Sequence, residues 1–553
     1  MATQAPLQPP VRFDAHPATY KHWKLEFPSE YEGRVARLLL DVKDDAGLRE
    51  GYSLKLNSYD LSVDIELADA LSRIRFEHPE VHAIVFASAK DRIFSAGANI
   101  YMLGLSSHGF KVNFCKFTNE TRLYLEEMSA ESSIFSLAAL SGTASGGGYE
   151  LAIACDEMVL ADDGSSAVSL PEAPLLGVLP GTGGLTRLVD KRKVRRDHAD
   201  VFSTIAEGVR GKRAVEWNLV DEAPSRASFA AAVERRVRAL VDRSKAKPRA
   251  PVGWTPIETK RTASGSEYKY VSLNVDASKR TATLTLRAPS SIEPKTPEEL
   301  ARDGSSAWAI RAFRELDDAL LDLRFNWPTI GVIAVRTEGD AKKVLEVDAF
   351  LSAHASDGLV HEVRLLIKRV LKRYDMMAKS LFALIEPGSC FVGTLFELVL
   401  GADRSYMLEA EGNTVALSNL NQGVFPMGNG LSRLQAHFYH APVRATEVGT
   451  LREALSTKQA YDLGLVTFSP DDIDWEDEVR IALEERASLS PDAMTGMEAN
   501  LRFVGPETLE TKIFGRLTAW QNWIFVRPNA VGPKGALSLY GRPERPEFDW
   551  NRT

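Results

Sequence analysis

Several signatures are missing from this chain, and each absence removes a class of protein. It holds no apolar run long enough to cross a bilayer and no basic-apolar leader pattern at its amino terminus, so a cytoplasmic protein with no membrane role is expected. Three cysteines, Cys115, Cys155 and Cys390, are too few for a disulfide framework and include no CxxC pair. None of the ten histidines falls in an HExxH pattern, so no metal site is expected. Glycine clusters occur, yet no Gly-Lys-Ser/Thr follows them, the GxGxxG spacing is absent and no GxSxG surrounds Ser145; phosphate-cradling loops, dinucleotide folds and nucleophile elbows are unsupported. Positive charge is also short, with 67 Lys and Arg against 75 Asp and Glu and a net charge of −8, which argues against broad nucleic-acid binding. The exception is the run Lys191-Arg-Lys-Val-Arg-Arg196, expected as a solvated face, with neutralisation of a bound phosphate as the alternative.

What remains is globular. Hydrophobic residues make up 44% and charged residues 26% of 553 positions, a soluble composition too long for one ordinary core. The apolar runs Val81–Ser88 and Ile134–Leu140 each lead into small residues rather than a hairpin turn, and helical patterns such as Ile65–Phe76 and Phe229–Val241 alternate with them. The pattern is strand, glycine loop, helix, so the class is α/β with parallel strands. Two loops stand out: Phe94-Ser-Ala-Gly-Ala-Asn99 and Ser141-Gly-Thr-Ala-Ser-Gly-Gly-Gly-Tyr-Glu150. Glycine permits close backbone approach, so Gly97 and Gly146 to Gly148 can turn amides inward. If Gly147 opens a helix through Glu150 to Ala154, its N–H carries the positive end of the helix dipole and favours an oxyanion. Downstream, Leu170-Pro-Glu172 precedes Gly177-Val-Leu-Pro-Gly-Thr-Gly-Gly184. Glu150 and Glu172 can flank one substrate from separate loops, and such a pair supports water addition, with mutual repulsion and burial raising one pKa.

These motifs, in this order, resemble the crotonase (enoyl-CoA hydratase/isomerase) superfamily over roughly residues 30–240. The resemblance implies a spiral of ββα turns, an acyl-CoA thioester substrate and no cofactor beyond the CoA that the substrate carries. It places the two oxyanion-hole amides at Ala98 and Gly147, the carboxylates at Glu150 and Glu172, and a CoA-binding lysine at Lys55. It also implies a homo-oligomer, for which a dimer is expected. Departures include Asn99, where many relatives have Asp, and a long segment from Ile100 to Ser133. Its Phe110, Phe114, Cys115, Phe117 and Tyr124 can face a ring-sized acyl group or simply pack as an amphipathic helix. Cys115 is the cysteine nearest the site and is carried as a third catalytic candidate.

A second copy is legible. Ser389–Asp403 lies over Ser141–Asp156 and Gly423–Arg433 over Gly177–Arg187, at offsets of 403 − 156 = 247 and 433 − 187 = 246. Repeats of this size are duplicated domains rather than solenoid units. In the second copy Thr394 falls where Gly147 stands, Ser418 where Glu172 stands, Val344 to Asp348 contains no Ala-Gly-Ala loop, and Glu397 survives alone; a structural helix is expected for it, with a catalytic role as the alternative. Arg243 to Glu267 reads as the linker, giving a catalytic domain over 1–258 and a degenerate crotonase-like domain over 259–553. The double organisation and the tail Leu537–Trp550 narrow the resemblance to a ring-cleaving branch of the superfamily. That branch implies hydrolysis of a non-aromatic epoxide of an aromatic acyl-CoA by two waters, with loss of formate. The alternatives are an enoyl-CoA hydratase or isomerase fused to a spare domain, and a non-catalytic acyl-CoA-binding protein.

Overall fold

The computed structural model describes residues 9–553 and divides into two compact units, Phe13–Trp254 and Thr255–Thr553, the latter joined by the segment that ends at Arg12. The division falls 258 − 254 = 4 residues before the boundary read from composition. The segment before Phe13 goes with the second unit rather than the first, held by paired bonds between the Val11 backbone and the Asn326 side chain at 2.8 and 3.0 Å.

In the first unit β1 (Trp23–Glu26) pairs antiparallel with β2 (Val35–Leu40). There follow β3 (Ser58–Tyr59), α1 (Leu61–Phe76), β4 (Ala83–Ser88), β5 (Ile93–Ser95), β6 (Gly97–Ala98), α2 (Ile100–Leu105) and α3 (His108–Ser132). The chain continues through β7 (Phe135–Leu140), β8 (Thr143–Ser145), α4 (Gly147–Ala154), β9 (Glu157–Leu160), β10 (Val168–Ser169) and α5 (Glu172–Leu176). The main sheet has the order β1-β2-β4-β7-β9, parallel from β2 onward, and a smaller parallel sheet has the order β10-β8-β5. The steps from β4, β7 and β9 each deliver a long strand to the main sheet, a short strand to the smaller one and then a helix, while the short strand after β2, β3, pairs with β6 in a separate two-stranded sheet; this is the ββα spiral the resemblance implied. β4 and β7 read as nearly continuous apolar runs because both faces of a parallel sheet are covered. One face is closed by the helix Phe229–Arg243, whose Ala232, Val237, Leu240 and Val241 pack on Val35, Val85, Leu137 and Val159.

The second unit repeats the scheme in a seven-stranded sheet. Strands β11 (Lys260–Thr262), β12 (Gly265–Glu267), β13 (Val271–Asp276) and β14 (Thr281–Arg287) pair antiparallel in sequence, and β15 (Val332–Glu338), β16 (Ser380–Ile385) and β17 (Arg404–Met407) add on in parallel. The last residues of the stretch read as linker therefore form an edge hairpin, whose alternating polar side chains suit a solvated strand. The duplication extends to single contacts. The Gly146 amide donates to Ser169 O at 2.9 Å and the Gly393 amide to Ala416 O at 2.8 Å, both glycines at positive φ (53° and 49°).

The chemistry is not repeated. Where the first unit has β5 and β6, the second has the helix Ala341–Ala353. Its buried Asp348 carboxylate accepts the Thr394 amide at 2.7 Å and the Ser418 hydroxyl at 2.7 Å, so a side chain of the protein fills the place an anion would take. Glu397 is engaged by Asn421 Nδ2 at 2.7 Å and Arg433 at 3.0 Å, and Arg433 also chelates Asp375.

Candidate active site

The Phe94–Asn99 loop is set by Asn57, a fully buried residue held at positive φ (51°). Its Nδ2 donates to Ser88 Oγ (3.0 Å) and Phe94 O (3.1 Å), and its Oδ1 accepts the Val42 amide (3.1 Å). Ser95 Oγ in turn donates to Asn57 O at 2.7 Å and accepts the Gly97 amide at 3.1 Å. The next strand pair, β3 with β6, aligns Tyr59 with Ala98. Because Asn99 N is spent on Tyr59 O at 2.8 Å, strand alternation turns the Ala98 N–H to the opposite side, toward α4.

Helix α4 begins at Gly147, as the sequence implied, so the Gly147 amide is one of the first N–H groups that a helix leaves without an internal partner. The loop and the helix start are in close contact. A β-carbon on Gly97, whose φ is +83°, would lie 2.6 Å from Gly147 N, and one on Gly147 would lie 3.3 Å from Ala98 N. The structure brings the Ala98 and Gly147 amides together at one place.

Both glutamates reach that place in different states. Glu150, one turn into α4 and 2% exposed, accepts the amides of Thr182 (2.9 Å) and Gly184 (2.8 Å) on Oε1 and the Thr182 hydroxyl on Oε2. Glu172, at the start of α5, lies over Gly146, whose β-carbon would come within 2.6 Å of Glu172 Oε1. Its Oε2 is buried and has no hydrogen-bond partner among the described residues. Burial first, and then the charge of Glu150, push the Glu172 carboxyl up to about 7. One glutamate side chain is thus held by three donors, and the other keeps an unengaged, buried Oε2.

Cys115 enters from α3, with its Sγ 3.1 Å from the position a β-carbon on Gly181 would take. Burial, then the Glu150 and Asp64 charges, push the thiol up to about 11, so it is protonated near neutrality and a poor nucleophile. The aromatic residues read as a pocket wall are mostly committed elsewhere. Phe117 packs on Phe13 with ring centroids 5.3 Å apart, Arg49 covers Phe110 at 4.6 Å and Arg75 covers Tyr124 at 4.5 Å. Phe114 remains near the site, 6.1 Å from the Tyr59 ring. Tyr149 is spent on Leu219 O at 2.7 Å.

Lys55 is exposed on the turn before Asn57. Three members of the basic run after Gly184 are paired locally. Lys191 bonds Glu126 (2.9 Å) and caps α4 at Ala154 O (2.7 Å), Arg192 pairs with Asp221 (3.0 Å), and Arg195 with Asp197 (2.6 Å). Sequence reasoning missed Thr182, whose hydroxyl sits between the glycines of a loop read for its glycines alone, and Tyr59, two residues beyond the Lys55–Asn57 segment.

Residues 54–252 match the family model described as enoyl-CoA hydratase/isomerase. Over 549 residues, 98% of both chains, the protein is 55% identical to the benzoyl-CoA-dihydrodiol lyase of Aromatoleum evansii. Among solved structures, an enoyl-CoA hydratase from Geobacillus kaustophilus HTA426 is 29% identical with a TM-score of 0.35, covering 40% of this chain and 75% of its own. The enoyl-CoA hydratase from Bacillus anthracis is 23% identical with a TM-score of 0.32, covering 40% of this chain and 76% of its own.

Proposed function

The chain belongs to the benzoyl-CoA-dihydrodiol lyase family within the crotonase superfamily, and from that membership we propose that it is a ring-cleaving lyase of aerobic benzoate breakdown. Its substrate is 2,3-epoxy-2,3-dihydrobenzoyl-CoA, and its products are 6-oxohex-3-enoyl-CoA and formate. Two waters balance the sum, so no electron acceptor enters it. The observation that carries this reading is the full-length likeness, which runs through the degenerate second unit, whereas the enoyl-CoA hydratase/isomerase match ends at residue 252.

The Ala98 and Gly147 amides hold the thioester oxygen, and removal of one donor of this kind costs about 2.7–4 kcal/mol in the transition state. Glu172, with an unengaged oxygen and a carboxyl near neutrality, takes the proton of the first water as it attacks the strained ring. The same group can return that proton to the opened oxygen. Glu150, held by three donors, keeps lone-pair capacity to orient water and fixes the charge that tunes Glu172. In the ring-expanded (oxepin) isomer of the epoxide the bond between the two oxygen-bearing carbons is already broken, so addition of the first water beside the thioester-bearing carbon and loss of the bridging C–O bond leave two aldehydes. A second water then adds to the aldehyde carbon that leaves as formate. The bond from that carbon to the ring carbon bearing the thioester breaks, and its electron pair passes into the thioester as an enolate, so one hole serves both stages.

Cys115 packs beside Glu150 without exchanging protons. Cys115→Ala is expected to cost less than about 1.4 kcal/mol of activation free energy, tenfold in rate; a loss exceeding that of a glutamate change, measured as kcat, would reverse this ranking. Lys55 reaches a CoA phosphate from the rim. No helix among the described residues is long and apolar enough to cross a membrane, which supports a cytoplasmic placement, and a homodimer is the proposed assembly.

Incubation with freshly generated epoxybenzoyl-CoA tests the whole reading. Formate and the ring-opened semialdehyde are expected in equal amounts. Hydration of crotonyl-CoA without formate would make the protein an ordinary hydratase, and tight ester binding with no turnover would make it a binding protein.

A further inference from the structure

The amide pair has a third polar neighbour. Tyr59 is aligned with Ala98 across the β3–β6 pair, and its hydroxyl stands over the Gly147 α-carbon, where any β-carbon would overlap it. The side chain is enclosed, 3% exposed. Its ring lies 5.6 Å below the Arg122 guanidinium, which is locked in a buried ion pair with Asp64 and is therefore not free to wander. Phe114 closes another side at 6.1 Å between ring centroids.

The Tyr59 hydroxyl itself has no hydrogen-bond partner among the described residues. A buried hydroxyl left unpaired costs about 1–3 kcal/mol. An acceptor atom of a bound substrate would recover that cost, and the hydroxyl stands where Ala98 N and the start of α4 converge.

We propose that Tyr59 is a catalytic residue of the ring-cleaving reaction, a third donor whose O–H points at the thioester oxygen beside the Ala98 and Gly147 amides. The assignment rests on the reading of the site given above. Burial, reinforced by the charges of Asp64 and Glu150 and opposed by Arg122, drives the phenol far above its ordinary pKa, so it donates at any working pH. Neither amide can adjust in length or angle as the oxygen gains charge; a phenol on a short torsion can, and it adds its bond where enolate charge accumulates.

Tyr59→Phe removes one oxygen from an unpaired site and keeps the ring. Turnover of epoxybenzoyl-CoA is expected to fall about 10²–10³-fold, the range for a single oxyanion donor. The melting temperature should hold or rise, because nothing in the folded protein bonds to the lost hydroxyl. The second reading uses no turnover: benzoyl-CoA labelled with ¹³C at the carbonyl, bound to the unaltered protein and to Tyr59→Phe, with the C=O stretch recorded. The band is expected at lower frequency in the unaltered protein than in the variant. An identical band in both proteins overturns the proposal, whatever the rates, and so does unchanged turnover. Failure of the unaltered protein to bind benzoyl-CoA would instead overturn the functional reading, and this donor with it.

Discussion

Replacing Glu172 by glutamine is expected to lower ring-cleavage turnover about 10²–10⁴-fold, the usual contribution of one positioned proton-transfer group, with affinity for benzoyl-CoA nearly unchanged. The amide keeps the size of the side chain and its place over Gly146 but can neither take a proton from water nor give one back. In the proposed mechanism the unengaged Oε2 and the raised carboxyl pKa favour Glu172 over Glu150 as the proton carrier. Because the base form fills as the carboxyl ionises, kcat/KM should climb with pH through about 7, and a flat profile across that region would remove Glu172 as the base. Stability moves the other way. Glu172 is raised from 4.5 to about 7, so between those values the folded protein keeps a proton that the unfolded chain releases. Stability therefore falls as pH rises through that window. Glu172→Gln lacks this proton, and its melting temperature should exceed the parent's above about pH 7, with the gap closing toward 4.5. Melting curves of both proteins across that range check the sign, and kcat with ester binding separates catalysis from folding.

Local rules carried the amino-terminal motifs a long way. Three consecutive glycines followed by an apolar stretch leave few conformations open, and α4 runs from Gly147 to Ala154 as its residues imply. The ββα succession follows from apolar runs that each lead into small residues, and the duplication shows because loop glycines such as Gly146 and Gly393 keep the same positive φ. Distant pairings were hidden. Nothing near Glu150 in the chain announces that Thr182 and Gly184 will fold back to hold it with three donors, and without that the two glutamates look alike. Tyr59 gains meaning only from the register of β3 on β6. The choice between pocket wall and helix packing was hidden for the same reason: Phe110, Phe117 and Tyr124 share a helix with Cys115, but their neighbours Arg49, Phe13 and Arg75 come from other elements. In the second unit the missing loop was visible, whereas its consequence was not: Asp348 on the replacing helix occupies the vacated anion position itself.

Gly97→Ala is expected to abolish ring cleavage more completely than loss of any single donor, and the reason is distance. At Gly97 the new methyl would lie 2.6 Å from both Gly147 N and Ser145 O, and φ is +83°. Those neighbours are backbone atoms of β8 and α4, which cannot rotate aside as a flexible side chain would, so the strand carrying Ala98 must withdraw from the helix start. A hole whose two amides no longer converge loses both contributions together, and at about 2.7–4 kcal/mol each the rate should fall by more than 10³-fold. The left-handed backbone adds roughly 1–2 kcal/mol of strain to the folded state, so melting should drop modestly while the secondary structure persists. Gly104→Ala supplies the comparison: no atom lies within 4 Å of its β-carbon position and it sits inside α2, where alanine is favoured over glycine. That variant should keep full turnover and melt slightly higher. A Gly97→Ala protein that folds and still releases formate at the parent rate would mean that the thioester oxygen is held elsewhere, because no arrangement of these two loops accommodates the added carbon with the amides left in register.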